Sequence, residues 1–287
     1  MHLLWQILVS GVLLGGLYAL MALGLTLVWG VLNIVNLAHG AFIMLGAYVC
    51  YYLFAFAHVD PFAALPISMA VLFCLGYGLQ RGVLNLIMRA QMFNTLLMTF
   101  GIEVALTYLA QIVFSADFRT INPSYAGANF TLMGATVPLV RVMACGVALV
   151  LTVGLWLFLL HSRAGRAIRA CAQNLGAARL YGVSPRSIYP LTFGLGAALA
   201  GAAGDLYGVV SQIHPYIGAV LTAKSFAIAI VGGLESPLGV IVGGMFLGVV
   251  ESLTGLYIGP TYVDVASFGI LVLVLIVRPT GLLGRAA

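Results

Sequence analysis

The sequence predicts an all-α protein in which about nine helices cross a membrane, with eight to ten crossings possible. Three observations predict this fold class. Of the 287 residues, 63% are hydrophobic and 7% are charged, whereas a soluble domain has roughly a quarter of its residues charged. The apolar residues form successive runs near the length of about 20 residues that spans a bilayer as a helix. These runs fill the chain, so residues 1–287 are expected to form a single transmembrane domain.

The predicted membrane spans follow the apolar runs in order. They cover residues 4–30, 40–57, 62–79, 93–114, 139–160, 191–212, 218–234, 238–257 and 262–277. The first and eighth contain Gly11-x-x-x-Gly15 and Gly244-x-x-x-Gly248, the small-residue pattern that lets helices pack closely in lipid. The N-terminal MHLLWQ lacks the basic residues of a secretory signal, and we therefore expect the first span to be retained.

Basic residues are distributed unevenly between the loops. Alternating the spans places nine of the twelve on one side, namely Arg81, Arg89, Arg163, Arg166, Arg169, Arg179, Arg186, Arg278 and Arg285. Arg119 and Arg141 fall on the other side, and Lys224 lies within a span. Because cytoplasmic loops are rich in basic residues, we expect segment 161–190 and the C-terminus to be cytoplasmic. The longest loop, at 115–138, and the N-terminus are then extracytoplasmic.

The long polar stretch at residues 161–190 has the pattern of an amphipathic helix. The residues near one face of a helical wheel are Ala164, Ile168, Cys171, Leu175 and Ala178. Three arginines lie away from that face, and Gly182 is placed to end the helix in a left-handed conformation. Ser184 and Pro185 are placed as the N-cap and first residue of another short helix. The arginines either serve topology alone or belong to a surface on which a partner acts.

Polar residues also interrupt the apolar runs. Asn33, Asn36 and His39 lie between the first two predicted spans. They are either loop and cap residues at the membrane surface or they mark a break between helices beside a polar pathway. The ionisable residues within predicted spans are Glu103, Asp205, Lys224 and Glu251, each costing roughly 2.5–3.5 kcal/mol to insert as a charge. These four either pair with one another and cap helix ends, or line such a pathway.

The sequence carries no recognisable catalytic or metal-binding constellation. It has no Gly-x-x-x-x-Gly-Lys-Ser/Thr phosphate loop, and its single lysine lies in TAKSF without the glycines that cradle phosphates. The five histidines are far apart, and the four cysteines have neither metal-ligand spacing nor the pattern of a disulfide framework. We therefore predict that this chain is not an enzyme and holds no metal or cofactor.

Five segments together resemble one family of membrane proteins. In order, they are GGLYALMALGLTLVWGVLNIVNLAHGAFIMLGAY, GRAIRACAQNLGAARLYGV, HPYIGAVLTAKSF, IVGGLESPLGVIVGGMFLGVVE and RPTGLLG. They resemble the inner-membrane permeases of high-affinity branched-chain amino acid ABC importers, of the LivH type, from about residue 15 to residue 284. The second segment is similar to the coupling segment of ABC-importer permeases, Glu-Ala-Ala, three residues, then Gly. Ala177, Ala178 and Gly182 keep their places, whereas Gly176 stands at the glutamate position.

The resemblance implies a permease subunit in a bacterial inner membrane that translocates branched-chain or related hydrophobic amino acids by alternating access. The implied partners are a homologous second permease, two cytoplasmic ATPase subunits that hold ATP and Mg, and an extracytoplasmic substrate-binding protein. The residues expected to couple to the ATPase are Arg166, Arg169, Ala177, Ala178, Arg179 and Gly182. A permease for urea or short amides, a proton-coupled carrier that uses the carboxylates within the spans, and a passive channel remain alternatives.

Overall fold

The computed structural model describes residues 2–87, 92–132, 134–234, 236–278 and 280–284. Arg89 and Arg285, two of the basic residues used to predict the orientation, lie outside these ranges. The long helices are α1 His2–Leu32, α2 His39–Ala57, α3 Pro61–Leu79, α5 Met92–Phe114, α6 Leu139–His161, α9 Pro185–Val210, α10 Ile217–Gly232, α11 Pro237–Tyr257 and α12 Val263–Val277. The shorter elements are a π-helical turn Gln80–Leu84, α4 Asn85–Ile87, α7 Arg163–Gln173, α8 Leu175–Leu180, a 3₁₀ turn Pro260–Tyr262, and strands β1 Asn129–Leu132 and β2 Ala135–Pro138.

The predicted all-α membrane fold is confirmed. Within the described ranges, eight helical stretches are long and apolar enough to cross a membrane. The seventh predicted span, at 218–234, corresponds to α10, which is apolar but has only 16 residues. The predicted long loop at 115–138 contains one element that the sequence did not indicate, a short antiparallel hairpin of β1 and β2.

Helices α1 and α9 form the centre of the bundle. α1 packs mainly against α11, α9 and α6, whereas α9 packs mainly against α3 and α2. In an 18-residue apolar stretch of α9, 78% of the residues are buried, against 11% in the outer stretch Pro260–Val277 that contains α12. Glycine and alanine make this central position possible, because a Cβ at Gly204 would overlap the carbonyl oxygen of Ile43 on α2. Small side chains thus allow α9 to contact its neighbours at backbone distance.

The two predicted small-residue patterns pack against each other. Gly11 and Gly15 of α1 face Gly244 and Gly248 of α11. A Cβ added at Gly248 would overlap the carbonyl oxygen of Gly11 and lie 2.6 Å from the backbone nitrogen of Gly15. Glycine is therefore required at this crossing, because any side chain would force the two helix backbones apart.

The loop between α5 and α6 is tied to the helix ends on its own side. The Asp60 carboxylate caps α3 by accepting from the Phe62 N–H at 2.9 Å, and it also accepts from the Tyr125 hydroxyl at 2.8 Å. Burial and this carboxylate raise the pKa of Tyr125. Arg119 pairs through its backbone with Ile213, between α9 and α10, in an antiparallel bridge. These contacts fix the loop relative to three helices.

Two helix predictions in segment 161–190 were wrong in detail. The predicted single amphipathic helix is two helices, α7 and α8, because Asn174 is extended (φ −156°, ψ 103°) and its side chain caps α8. The predicted short helix after Ser184 is the beginning of α9, which starts at Pro185 and continues through Pro190 into the membrane span. The apolar run begins later than the helix does, since the first turns of α9 are polar.

Candidate functional site

The chain turns back after α1, so that the beginning of α2 lies beside the middle of α1. α1 ends at Leu32, residues 33–38 are not helical, and α2 begins at His39. The His39 Nε2 lies 2.8 Å from the carbonyl oxygen of Met21, about three turns before the end of α1. Because a carbonyl can only accept, this ring nitrogen carries the proton. Asn36 and His39 are buried, whereas Asn33 is exposed with a left-handed φ of 53°.

Two threonines from other helices hold this non-helical segment, which we call the re-entrant segment (residues 33–38). Thr99 of α5 donates to the carbonyl of Val35 at 2.9 Å and accepts from the Leu37 N–H at 3.3 Å. Thr222 of α10 donates to the carbonyl of Leu37 at 3.1 Å and accepts from the Gly40 N–H at 2.8 Å. Non-helical backbone away from water needs such partners. Sequence reasoning missed both threonines, since a lone threonine in an apolar run is too common to single out.

Glu103 lies at the middle of α5, on the same side as Thr99. Residues four apart share one face of a helix, so Thr99, Glu103 and Thr107 form one stripe. The Glu103 carboxylate is half-buried and accepts from the Thr107 hydroxyl at 3.3 Å. The structure therefore places this carboxylate one turn from the threonine that binds the re-entrant segment.

Several buried polar groups, including the predicted Asp205, have no hydrogen-bond partner among the described residues. Asp205 of α9 is 1% exposed, and neither of its carboxylate oxygens has a hydrogen-bond partner among the described residues. Ser68 of α3 lies close to it, but its hydroxyl also lacks a partner with hydrogen-bond geometry. Asn36 likewise has an unpartnered, buried Oδ1. Asp205 and Ser68 belong to α9 and α3, which pack closely against each other.

Lys224 and Glu251 form a buried ion pair. The Lys224 Nζ lies 3.1 Å from Glu251 Oε1 and 3.1 Å from Asp264 Oδ1. Glu251 also accepts from the hydroxyls of Tyr18 at 2.5 Å and Ser267 at 2.7 Å. The cluster therefore joins α1, α10, α11 and α12. Of the four ionisable residues predicted within spans, these two are brought together, as the pairing interpretation expects.

Residues 161–190, which we call the basic segment, have a well-defined conformation. The Ser162 hydroxyl caps α7 by accepting from the Gly165 N–H at 2.8 Å. α8 ends at Leu180, and Gly182, two residues later, has a φ of 81°. The Gly182 N–H donates to the Arg179 carbonyl and the Val183 N–H donates to the Ala178 carbonyl. These two bonds are a Schellman motif, which the glycine makes possible. The predicted left-handed end at Gly182 is thus confirmed.

The predicted coupling residues divide into two groups. Those at the surface are Arg166, Ala177, Arg179 and Gly182. Ala178 is 4% exposed and packs into the protein. Arg169 is half-buried, with its Nη2 donating to the carbonyl of Leu160 at 3.3 Å. Sequence reasoning missed Leu180 and Tyr181, which are each 89% exposed at the end of α8. The sequence feature that could have indicated them is a pair of adjacent large apolar residues within a polar segment.

Comparison with known proteins assigns the family. The family model described as "Branched-chain amino acid transport system / permease component" matches residues 7–275. The chain belongs to this family. The permease is 35% identical to the BraD permease protein of Pseudomonas aeruginosa, over 98% of this chain and 95% of that protein. It is 34% identical to the LivH permease protein of Salmonella typhimurium, over 96% and 94%. Both relatives are named as permeases of high-affinity branched-chain amino acid transport systems.

A second kind of permease is related as well. LivM of Escherichia coli, named as a permease protein of a high-affinity branched-chain amino acid transport system, is 29% identical over 93% of this permease and 68% of its own length. LivH of the same organism is also similar, at 33% identity. No solved structure matches this permease. The resemblance carried by the five sequence segments is therefore confirmed at the level of the family.

Proposed function

We propose that this permease is the membrane subunit of an ABC importer that moves branched-chain or related hydrophobic amino acids by alternating access. The names of its relatives support the substrate class. ATP and Mg would be held by two separate cytoplasmic ATPase subunits, because the chain has no phosphate loop. A LivM-like second permease and an extracytoplasmic binding protein would complete the transporter, in a bacterial inner membrane.

The proposed orientation places α7 and α8 in the cytoplasm. Five arginines lie in the segment that contains these helices, whereas Arg119 and Arg141 lie at the opposite end of the bundle. The bias of basic residues toward cytoplasmic loops supports this direction. The N-terminus is then periplasmic and the C-terminus cytoplasmic.

The exposed end of α8 is the observation that carries the ATPase proposal. We call Arg179, Leu180, Tyr181 and Gly182 the coupling surface. Two large apolar side chains exposed together outside the apolar spans are characteristic of a protein–protein interface. The Schellman motif holds them in a fixed position, so a movement of the bound partner would pass directly to α8. The exposed Arg166 and Ala177 lie near this surface in the sequence. Ala178 and Arg169 are more buried, and they would support the surface by packing against the rest of the protein.

The substrate path is proposed to pass between α5 and the re-entrant segment. Glu103 and Thr99 share one stripe of α5, and Thr99 binds the backbone of that segment. Discontinuous helices with polar backbone are typical of substrate sites in transporters. Asn33, Asn36 and His39 belong to the same break. Lys224 is paired with Glu251 and Asp264, and Asp205 is buried between helices. The role of Asp205, Lys224 and Glu251 is therefore proposed to be structural.

A pulldown with matched variants tests the coupling surface. The test variant is Leu180→Ser with Tyr181→Ser, and the control is Tyr257→Ser with Ile258→Ser, an exposed apolar pair at the other end of the bundle. We expect ATPase subunits to copurify from detergent-solubilised membranes with the native chain and the control, but not with the test variant. ATPase binding that survives in the test variant refutes the coupling surface.

Transport measurements separate the importer from the alternatives. We expect leucine uptake to require the ATPase subunits and to persist after the proton gradient is collapsed while ATP remains. Uptake that follows the proton gradient instead identifies a carrier, and equilibration without accumulation identifies a channel. Uptake of urea or acetamide in place of leucine would move the substrate class to small amides.

A further inference from the structure

A groove of about 750 Å³ lies between α1, α6, α7 and the beginning of α11. Its apolar walls include Leu23, Leu27 and Gly30 of α1, Trp156 and Leu159 of α6, and Leu238 of α11. Trp156 is 55% exposed and Leu238 is 71% exposed, so the groove is open at the outside of the bundle. We call it the α1–α6 groove.

The groove exists because α1 and α6 diverge along their length. Toward the start of α1 the two helices are close, since a Cβ at Gly16 would lie 2.5 Å from Cys145 Sγ. Arg141 also donates to the Ser10 hydroxyl there, at 2.6 Å. At the other end, a Cβ added at Gly30 would meet no atom within 4 Å. Helix α7 crosses this open end and closes the groove on the side of the basic segment.

One end of the groove carries a positive charge, and one of its hydrogen-bond donors has no partner among the described residues. Arg169 of α7 lines this end together with Gln173. Its Nη2 donates to the Leu160 carbonyl at 3.3 Å, but its Nε is buried and has no partner among the described residues. The described residues that line the groove include no acidic side chain. An unneutralised guanidinium beside an apolar cavity is unfavourable unless an anion binds there.

We infer that the α1–α6 groove binds one anionic glycerophospholipid, with its phosphate at Arg169 and an acyl chain along Leu27 and Trp156. The two ends of the groove match the two ends of such a lipid: guanidinium donors bind phosphate oxygens in pairs, and the apolar walls replace the neighbouring lipid chains. Basic pockets between membrane helices on the cytoplasmic side bind anionic headgroups in this way. The lipid fills the space between α1 and α6, and its phosphate balances the charge of Arg169.

Fluorescence of Trp156 tests this inference directly. The full chain, with Trp5→Phe and Trp29→Phe to leave one tryptophan, is reconstituted in phosphatidylcholine vesicles. A low and equal mole fraction of dibrominated phosphatidylglycerol or dibrominated phosphatidylcholine is then added as the quencher. We expect the anionic lipid to quench with roughly fivefold higher apparent affinity, the preference that one arginine near an anionic surface provides.

Matched variants assign the effect to the groove. Arg169→Gln should abolish the preference for the anionic lipid, whereas Arg166→Gln, at an exposed arginine of the same helix, should keep it. Gly30→Leu should fill the open end and reduce quenching by both lipids, whereas Gly146→Leu, on α6 where a Cβ also meets nothing within 4 Å, should not. Equal quenching by both lipids in the native chain, or a preference that survives Arg169→Gln, overturns the inference. A Trp156 that neither lipid quenches also overturns it, because the groove is then covered by protein.

Discussion

The ion pair of Lys224 and Glu251 yields the most quantitative prediction. Lys224 bridges two carboxylates at equal distances of 3.1 Å, but their surroundings differ. The side chain of Glu251 is 5% exposed, whereas that of Asp264 is 56% exposed. Lys224→Met therefore leaves one buried and one solvated carboxylate without its cation, and Asp264→Asn removes only the solvated partner.

The two variants should differ severalfold in cost. Removing one partner of a buried pair costs about 3–5 kcal/mol, because the remaining charge stays desolvated. Glu251 keeps its hydroxyl donors on Tyr18 and Ser267, so we expect the lower end, about 3 kcal/mol, for Lys224→Met. A solvated pair contributes about 0–1 kcal/mol, which is the cost expected for Asp264→Asn.

Thermal unfolding of the detergent-purified chain measures this difference. About 3 kcal/mol corresponds to a Tm lowered by roughly 6–12 °C, whereas Asp264→Asn should lower it by less than about 4 °C. The double variant Lys224→Met with Glu251→Gln should recover part of the loss, since it no longer buries an unpaired charge. Equal losses in Lys224→Met and Asp264→Asn, or no recovery in the double variant, would refute this account of the cluster.

Two further predictions concern helix packing and the re-entrant segment. Gly248→Ala should lower the free energy of unfolding by more than about 3 kcal/mol, the upper end of the usual cost of overpacking, because the new Cβ meets the backbone of α1 at Gly11. Gly146→Ala is the control, because the space around Gly146 is open. Similar Tm values for the two alanine variants would contradict the close crossing. Thr222→Val should cost about 1–3 kcal/mol for each backbone group left unpaired and should reduce uptake, whereas Thr152→Val loses only a bond to its own helix at Ala148. If both valine variants transport normally, Thr222 does not position the segment.

Several features of this protein were predictable from the sequence because they depend on local composition. Eight of the nine predicted spans correspond to helical stretches that are apolar and long enough to cross a membrane. The left-handed end of α8 follows from a glycine at position 182. The break between α1 and α2 was indicated by Asn36 and His39, since polar residues in an apolar run need special surroundings. Five segments in order were enough to predict the family, which the family model over residues 7–275 confirms.

Other features were decided by contacts between distant parts of the chain. The groups that satisfy the re-entrant segment come from Thr99 and Thr222, up to 185 residues away in sequence. The partner of Glu251 is 27 residues away, and its hydroxyl donor on Tyr18 is 233 residues away. The separation of α7 from α8 at Asn174 depends on an extended backbone conformation, which the amphipathic pattern of residues 161–190 does not reveal. Apolar length and glycine placement are local properties, whereas hydrogen bonds and ion pairs between helices depend on which faces the packed bundle brings together.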